Sequence, residues 1–312
     1  MHNSNLLPEK LKPGDVIGIV SPSEPVYAEQ EVHYAAGAAW LERQGFAVRE
    51  GNHVRVAPSG EVPTAAQKAE DLNRMFADPE VKAIICSQGG DSAQECLPYI
   101  DWNCIRQHPK IFTGISDITV LLNAIYQETG LVTFHGNDVV WGFGRKPQKY
   151  DRSEFIDRFV EGAIGDIPAY RERLVVRAGR AEGRLLGGNL RCLLKLVGTA
   201  YFPDMAGAIL FMEGLRVTPA ACAAYLDELQ REGVFDRING VIVGYIHSAQ
   251  KSGSMVSPME EILARKSARY GFPILKVNDF GHNCPNTVLP VGGLVRMDTG
   301  DQSLEILEAC VT

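Results

Sequence analysis

At 312 residues with 45% hydrophobic content, the chain is long enough to bury a large core, and its length favours two domains. The formal net charge of −7 and the lack of any basic run argue against a nucleic-acid-binding surface. No apolar stretch approaches the length that spans a membrane, and the opening MHNSNLLPEKLKPGD does not have the pattern of a secretory signal. Seven scattered cysteines without a CxxC pair are typical of reduced thiols, so we predict a cytoplasmic protein with no membrane or nucleic-acid partner.

Strands and helices alternate through the first half of the sequence. Short apolar segments predict strands at residues 15–20, 46–49, 81–86, 111–114 and 132–135. Apolar residues at three- and four-residue spacing predict helices at residues 30–44, 63–76 and 118–130. This alternation predicts a parallel sheet covered by helices on both faces, in which ligands bind at the carboxyl ends of the strands.

The pattern loosens between residues 141 and 180, which we interpret as the link to a second domain. Beyond it, apolar segments predict strands at residues 184–186, 208–212, 240–245 and 274–277, and a closing hairpin within 293–311. Helices are predicted at residues 190–197, 219–231 and 258–270. Gly187, Gly188 and Asn189 are predicted to form a turn.

The segment KIFTGISDITVLLNAIYQETG, residues 110–130, changes abruptly from strand to helix at Ser116. A hydroxyl at that corner lies at the carboxyl edge of the sheet, beside the unpaired amides of the first helical turn. The position suits a nucleophile. It also suits an ordinary helix N-cap, for which serine is a favoured residue, and the spacing alone favours the cap.

Two further features lie at predicted strand ends. Gly89 and Gly90 could present two amides to an anion, but Gly-Gly at a strand end is more often only a turn. Glu213 could orient a base within a cleft, although a solvated carboxylate is the commoner outcome at such a position. No GxxxxGK[ST] or GxGxxG motif follows a strand, so nucleotide-dependent phosphoryl or hydride transfer is not predicted.

Three of the seven histidines lie at or after the ends of predicted strands. His135, His247 and His282 each lie at a carboxyl edge, and sequence spacing does not choose among them. A lone histidine in a loop is more often structural than catalytic. No HExxH motif or paired histidine and carboxylate spacing is present, so no metal site is predicted.

In combination, these segments resemble the LD-carboxypeptidase family of serine peptidases, which includes the microcin C immunity peptidases. The similarity extends over nearly the whole chain and is carried by LKPGDVIGIVSPS, QGGDSAQECLPYIDW, HPKIFTGISDITVLLNAIYQETGLVTFHG, GRLLGGNL, ILFMEG and FGHNCPNTVLPVGG. Because the order and spacing of these segments agree with the family, we expect its fold and its activity.

The resemblance implies a serine–glutamate–histidine triad. Ser116 would be the nucleophile, His282 the base that takes its proton, and Glu213 the acid that orients the base. The family's oxyanion donors are backbone amides, and they correspond here to those of Asp117 and of Gly90 or Asp91. The resemblance implies no metal and no organic cofactor.

The implied fold is α/β. A flavodoxin-like N-terminal domain with a parallel sheet would cover residues 1–165 and carry the nucleophile. A smaller mixed α/β C-terminal domain would cover residues 180–312 and carry the glutamate and the histidine, with the site in the cleft between the domains. Family members are usually dimeric, so we expect a homodimer.

The implied substrate is a small amide. Where muropeptide-cleaving members carry GGYG, this chain has GGDS at residues 89–92, which favours the immunity-peptidase branch and its peptidyl- or aminoacyl-sulfamoyl-adenylate substrates. The alternative is the L,D-peptide bond of a muropeptide. Trp40, Trp102 and Trp141 all lie in the first half, and none can be assigned to stack on a nucleobase. A non-catalytic small-molecule-binding protein of the same fold is the alternative of another class.

Overall fold

The computed structural model describes residues 5–247 and 257–312 of the chain. These residues form two β-sheets with helices packed against them. Within the described ranges, no helix has the length and the apolar character needed to cross a membrane.

The first sheet is parallel apart from one edge strand. It contains β1 (Val16–Val20), β2 (Ala47–Glu50), β3 (Val81–Cys86), β4 (Ile111–Gly114), β5 (Thr133–His135) and β12 (Leu289–Val291). The strand order is β12-β5-β4-β3-β1-β2, and β12 runs antiparallel to β5. The order of the parallel strands is that of the flavodoxin-like fold, which confirms the predicted fold class of the N-terminal part.

The helices of this part are α1 (Glu31–Arg43), α2 (Ala65–Ala77), α3 (Trp102–Gln107), α4 (Thr119–Thr129) and α5 (Lys149–Ile156). The predicted apolar stripe around α4 is confirmed, since its members are all 0% exposed: Ile118, Leu121, Leu122 and Ile125. Thr119 and Asn123, away from that stripe, are buried as well. A helix that is buried all round must be covered on both sides, and the second sheet supplies the second cover.

The second sheet is mixed. It contains β6 (Gly165–Asp166), β7 (Leu174–Arg177), β8 (Arg180–Asn189), β9 (Ile209–Leu215), β10 (Gly240–His247), β11 (Ile274–Gly281), β13 (Leu294–Asp298) and β14 (Ser303–Ile306). The order is β6-β14-β13-β8-β9-β10-β11-β7, in which β8 to β11 pair in parallel and the flanking strands are antiparallel. Its helices are α6 (Leu190–Leu194), α7 (Pro219–Arg231) and α8 (Pro258–Lys266). The mixed sheet and the β13–β14 hairpin are as predicted.

The region 141–180 is more regular than its sequence pattern indicates. It contains α5, β6 and β7, and the two strands pair with β14 and β11 at the edges of the second sheet. Their partners lie far along the chain, so no local hairpin pattern marks these strands.

The predicted turn at Gly187, Gly188 and Asn189 is wrong. These residues complete β8 and pair in parallel with β9, with Asn189 opposite Glu213. Gly187 has φ 137° and Gly188 has φ 135°. A Cβ at Gly187 would lie 2.0 Å from the carbonyl oxygen of Phe211, so glycine permits a close approach of two strands that a side chain would prevent.

We expect Gly187→Ala to destabilise the fold by at least about 3 kcal/mol, because the substitution adds a clash to an unfavourable φ. Gly60→Ala is the matched control, since Gly60 also has a positive φ of 87° but has no atom within 4 Å of a new Cβ. The control should cost about 1 kcal/mol. Urea denaturation followed by circular dichroism measures both values, and equal costs would contradict the close-approach explanation.

Candidate active site

A strained turn places Ser116 at the carboxyl end of β4. Ile115 is extended (φ −134°, ψ 172°), Ser116 adopts φ 66°, and a 3₁₀ turn over Ser116–Ile118 leads into α4. A left-handed conformation costs a non-glycine residue about 1–2 kcal/mol, and such strain concentrates at active sites. The turn resembles the nucleophile elbow of hydrolases, in which a sharp strand-to-helix turn exposes the serine hydroxyl.

Ser116 is not a helix cap. Ile115 occupies the cap position of the 3₁₀ turn, and Ile118 occupies that of α4. Within residues 5–247 and 257–312, the Ser116 hydroxyl takes part in no hydrogen bond. The prediction of a helix cap at Ser116, which spacing alone favours, is therefore wrong. The hydroxyl is available to contact a ligand.

The glycine loop after β3 packs directly against the serine. A Cβ at Gly89 would lie 2.5 Å from the Cβ of Ser116 and 2.9 Å from its Oγ. Gly90 has φ 152°, and a Cβ there would lie 2.5 Å from the Oγ of Ser23. Both positions require glycine, since a side chain would push the loop away from the serine.

The predicted oxyanion residues lie on the two loops beside Ser116. Among the described residues, the backbone amides of Gly90, Asp91 and Asp117 donate no hydrogen bond. Gly90 lines the same cavity as Ser116, whereas the side chain of Asp91 is 61% exposed. The structure places Gly90 at the cavity of Ser116, and Asp117 directly follows the serine. The choice of amides that bind an oxyanion stays a prediction.

A buried carboxylate holds the imidazole of His282. Glu213 in β9 is 0% exposed, and its Oε2 lies 2.7 Å from Nδ1 of His282, which directly follows β11. Its Oε1 accepts a hydrogen bond from Nδ2 of Asn189 at 2.8 Å. Because Nδ1 is bonded to the carboxylate, Nε2 is the nitrogen left to accept a proton from a nucleophile.

Each partner shifts the pKa of the other. Burial alone would lower the pKa of His282, but the Glu213 carboxylate, helped by Asp138, raises it above its ordinary value. Burial alone would raise the pKa of Glu213, yet the neighbouring His282, with His135 and Asn189, lowers it. The acid is therefore held in its charged form, which stabilises an imidazolium at His282.

Ser116 and His282 line one cavity of about 630 Å³. It lies where the carboxyl ends of β3, β4 and β5 meet those of β9, β10 and β11. In the described part of the chain, no hydrogen bond joins the Ser116 hydroxyl to His282, and catalytic hydrogen bonds are often loose before substrate binds. The structure thus places the nucleophile and base predicted from the sequence at one cavity, with the predicted acid against the base.

The other histidines at strand ends have different surroundings. His135 is 0% exposed and packs edge-on against Phe211 and Phe280, with ring centroids 5.4 and 5.8 Å away. Burial lowers the pKa of His135 to about 4, so its ring is neutral. His247 lines the cavity, and its Nε2 lies 3.3 Å from the side-chain amide nitrogen of Asn283. Of the three, His282 is the one that pairs with a carboxylate among the residues that the structure describes.

Sequence reasoning missed the residues that support the turn of His282. The side-chain oxygen of Asn286 accepts a hydrogen bond from the backbone amide of Gly281 at 2.7 Å. The backbone amide of Asn286 donates to Oδ1 of Asp151 at 2.9 Å. Asn137 Nδ2 donates to the same carboxylate oxygen at 2.7 Å. Asn286 and Asp151 are 135 residues apart, so no local pattern could have revealed the network.

Asp138 is a second functional candidate that sequence reasoning missed. It lines the cavity, is 1% exposed, and accepts the amides of Trp141 and Gly142 at 2.7 and 2.8 Å. Burial raises the pKa of Asp138 to about 6. Its position just after the end of β5 was the signal that could have identified it.

An exposed tryptophan also lines the cavity, a position that the sequence alone did not assign to it. Trp141 is 41% exposed, and its Nε1 donates to Oε1 of Gln88 at 3.0 Å. The guanidinium of Arg145 lies 4.4 Å from its ring centroid. The place of Trp141 at the cavity depends on the folded position of the loop after β5, so position in the sequence alone did not show it.

The charges around the cavity suit an anion. Arg145, Lys146 and Arg216 line it, and none of them forms a salt bridge with another described residue. The three cations outnumber the two buried acids of the cavity, Asp138 and Asp151. Unpaired cations in a cleft attract negatively charged ligands. Within the described ranges, no cluster of three or more histidine, cysteine or acidic side chains could hold a metal ion.

Comparison with known proteins identifies the family. Residues 17–136 match the LD-carboxypeptidase N-terminal domain, and residues 182–297 match the LD-carboxypeptidase C-terminal domain. The chain belongs to the LD-carboxypeptidase family. Membership confirms the predicted class of enzyme, a serine-type carboxypeptidase or amidohydrolase.

Relatives of both predicted branches are found over nearly the full length. A "probable murein peptide carboxypeptidase" of Bacillus subtilis is 30% identical over 99% of this chain and 96% of its own. The microcin C7 self-immunity protein MccF of Escherichia coli is 29% identical over 97% of this chain and 96% of its own. A structure of MccF with aspartyl sulfamoyl adenosine superposes with a TM-score of 0.89 at 27% identity, covering 98% of this chain and 100% of that one.

The pKa shifts of Glu213 and His282 predict how stability depends on pH. The raised pKa of His282 contributes stability that is complete below its unfolded value of about 6.5 and is lost as pH rises through the folded value. The lowered pKa of Glu213 contributes stability that is present above about 4.3 and is lost as pH falls through the folded value. We expect Glu213→Gln to reduce the free energy of unfolding most between about pH 4.3 and 6.5.

Urea denaturation of wild type and variant across this range measures the difference. Glu182→Gln is the matched control, because Glu182 is 50% exposed and pairs with Arg296 at the surface. An exposed pair contributes about 0–1 kcal/mol, so the control should change little with pH. A pH-independent difference for Glu213→Gln would contradict the electrostatic coupling.

Proposed function

We propose that the protein hydrolyses a small amide through a covalent acyl-enzyme on Ser116. His282 is the base, and Glu213 orients it. The observation that supports this most directly is the 2.7 Å contact between Glu213 and His282 at the cavity that Ser116 also lines. Triads are recognised by geometry and roles, so the chain order Ser…Glu…His is no objection.

The acylation step begins at Ser116. Its Oγ attacks the substrate carbonyl while Nε2 of His282 takes the proton. Glu213 stabilises the resulting imidazolium. The negative charge on the carbonyl oxygen is bound by backbone amides, and each such donor contributes about 3–4 kcal/mol to the transition state. The proposed donors are the amides of Asp117 and of Gly90 or Asp91.

The second half of the cycle reuses the imidazole. His282 gives its proton to the leaving amine, the C–N bond breaks, and an ester on Ser116 remains. A water molecule deprotonated by His282 attacks the carbonyl carbon of this ester. The bond between that carbon and Oγ of Ser116 then breaks, His282 returns the proton to Oγ, and the acid product leaves. Apart from this water, the proposed steps use only side chains and backbone amides of the chain.

The cavity favours a substrate with an anionic group. Arg145, Lys146 and Arg216 line it without forming a salt bridge among the described residues, and they outnumber the acids Asp138 and Asp151 of the same cavity. A carboxylate at the end of a peptide would supply such a charge, and so would the sulfamoyl linkage of an aminoacyl-nucleotide-like compound. The names of the relatives cover both classes, a murein peptide carboxypeptidase and an immunity protein bound to aspartyl sulfamoyl adenosine.

Trp141 favours the aminoacyl-nucleotide-like substrate. Tryptophan rings and arginine guanidinium planes both stack on nucleobases, and Trp141 and Arg145 lie together at the cavity. The L,D-peptide bond of a muropeptide is the second candidate, supported by the Bacillus subtilis relative.

We further infer that the protein is a cytoplasmic homodimer. Its nucleophile would lie in a domain over residues 1–165, and its acid and base in a domain over residues 180–312.

We expect Ser116→Ala to lower kcat at least about 1,000-fold while the fold is retained, because the acyl-enzyme cannot form. Cys284→Ala is the control within the cavity. Burial raises the pKa of the Cys284 thiol well above its ordinary value, which makes it a poor nucleophile, and its loss should change kcat less than threefold. Product release is measured by mass spectrometry, and full activity in Ser116→Ala would refute the mechanism.

We expect wild-type enzyme to cleave aspartyl sulfamoyl adenosine, and Trp141→Ala to lower kcat/KM for it about tenfold or more, since base stacking contributes about 1–3 kcal/mol. Hydrolysis of an L,D-tetrapeptide should change less than threefold. Trp141→Phe keeps an aromatic ring and should retain most activity on the adenosine compound. Cleavage of the tetrapeptide alone would select the second candidate, and equal losses on both substrates would deny a stacking role to Trp141.

A further inference from the structure

A charge network outside the cavity links the residue after the nucleophile to the glycine loop. Asp117 is 0% exposed, and its Oδ1 accepts a hydrogen bond from Nζ of Lys195 at 2.6 Å. The same Nζ donates to Oδ1 of Asp91 at 2.6 Å and to the carbonyl oxygen of Asp91 at 2.8 Å. One ammonium therefore holds two loops of the first sheet from a position at the end of α6.

The second oxygen of Asp117 is also fully engaged. Its Oδ2 accepts hydrogen bonds from the Oγ of Ser23 at 2.7 Å and from the amide of Ala93 at 2.8 Å. Ser23 follows β1, and Ala93 follows the glycine loop. A buried carboxylate is stable only with such partners, so removal of Lys195 would leave a charge uncompensated directly beside Ser116.

We propose that Lys195 is a positioning residue that fixes the two oxyanion-binding loops relative to each other. The inference rests on the proposed function, in which the amides of Asp117 and of Gly90 or Asp91 bind the developing negative charge. Lys195 does not line the cavity, and it acts through Asp117 and Asp91 rather than on the substrate.

The charges at this network support a fixed ammonium. Burial alone would lower the pKa of Lys195, but the carboxylates of Asp117 and Asp91 raise it above its ordinary value. In return, Lys195, together with Arg191, lowers the pKa of Asp91. Oxyanion donors act only when they are aligned, and a displacement of about 1 Å can cost about 100-fold in rate.

The chain offers a matched control in Arg191. It binds both oxygens of Asp91 at 2.8 Å, as Lys195 binds one of them. Arg191 is 55% exposed and does not contact Asp117, whereas Lys195 is 14% exposed and does. Substituting each residue therefore separates the effect of losing a surface ion pair with Asp91 from the effect of losing the link between Asp91 and Asp117.

The test measures kcat, KM and inhibitor affinity for Lys195→Met, Lys195→Arg and Arg191→Met on the amide that wild type cleaves. Lys195→Met should lower kcat about 10- to 100-fold with KM within threefold, and Lys195→Arg should recover most of the loss. Arg191→Met should lower kcat less than threefold. A boronic acid forms a tetrahedral adduct that resembles the transition state, so its affinity for Lys195→Met should fall in parallel with kcat/KM. The pH–rate profile of Lys195→Met should keep the wild-type pKa values, because His282 is not changed.

A folded Lys195→Met enzyme with kcat within twofold of wild type would overturn the inference, and so would an equal loss in Arg191→Met. If Lys195→Met does not fold, Lys195→Gln, which keeps a donor for Asp117 without the charge, is judged by the same kcat criterion. Ser116→Ala measured in parallel separates the two proposals. Activity retained in Ser116→Ala refutes the proposed function, whereas its loss together with normal kcat in the lysine variants refutes only the role of Lys195.

Discussion

The hydrogen bond between Glu213 and His282 is the interaction on which the rest of the site depends. A carboxylate that is 0% exposed is stable in its charged form only when donors or a cation surround it. Glu213 has His282 on one oxygen and Asn189 on the other. These residues lie at or near the carboxyl ends of β8, β9 and β11, so the second sheet must be in register before the imidazole is held.

The same strand end connects the acid to the helix that follows the nucleophile. The backbone amide of Asn189 donates to Oγ1 of Thr119 at 2.9 Å. Nδ2 of Asn123 donates to the carbonyl oxygen of Gly187 at 2.8 Å, and Oδ1 of Asn123 accepts from the backbone amide of Gly187 at 3.2 Å. These contacts fix α4, and with it the turn of Ser116, against β8. Buried polar contacts are costly when misaligned, so they specify how the two sheets meet more sharply than apolar packing does.

Much of the fold could be predicted from the sequence, because strands and amphipathic helices leave local periodic patterns. The parallel sheet, the buried stripe of α4 and the β13–β14 hairpin are as predicted. The turn predicted at Gly187 failed because a glycine pair has the local pattern of a turn, whereas here it lets β8 approach β9 closely. β6 and β7 were not predicted, because their hydrogen-bonding partners lie far along the chain.

For the site, the sequence by itself located a serine at a strand-to-helix corner and three histidines at strand ends, and the family resemblance selected among them. Only the tertiary structure set His282 against Glu213 and enclosed His135 between aromatic rings. It also decided that Ser116 is no cap, since Ile115 and Ile118 occupy the cap positions. Burial, charge partners and backbone strain arise from residues distant in the sequence, so no local pattern could determine them.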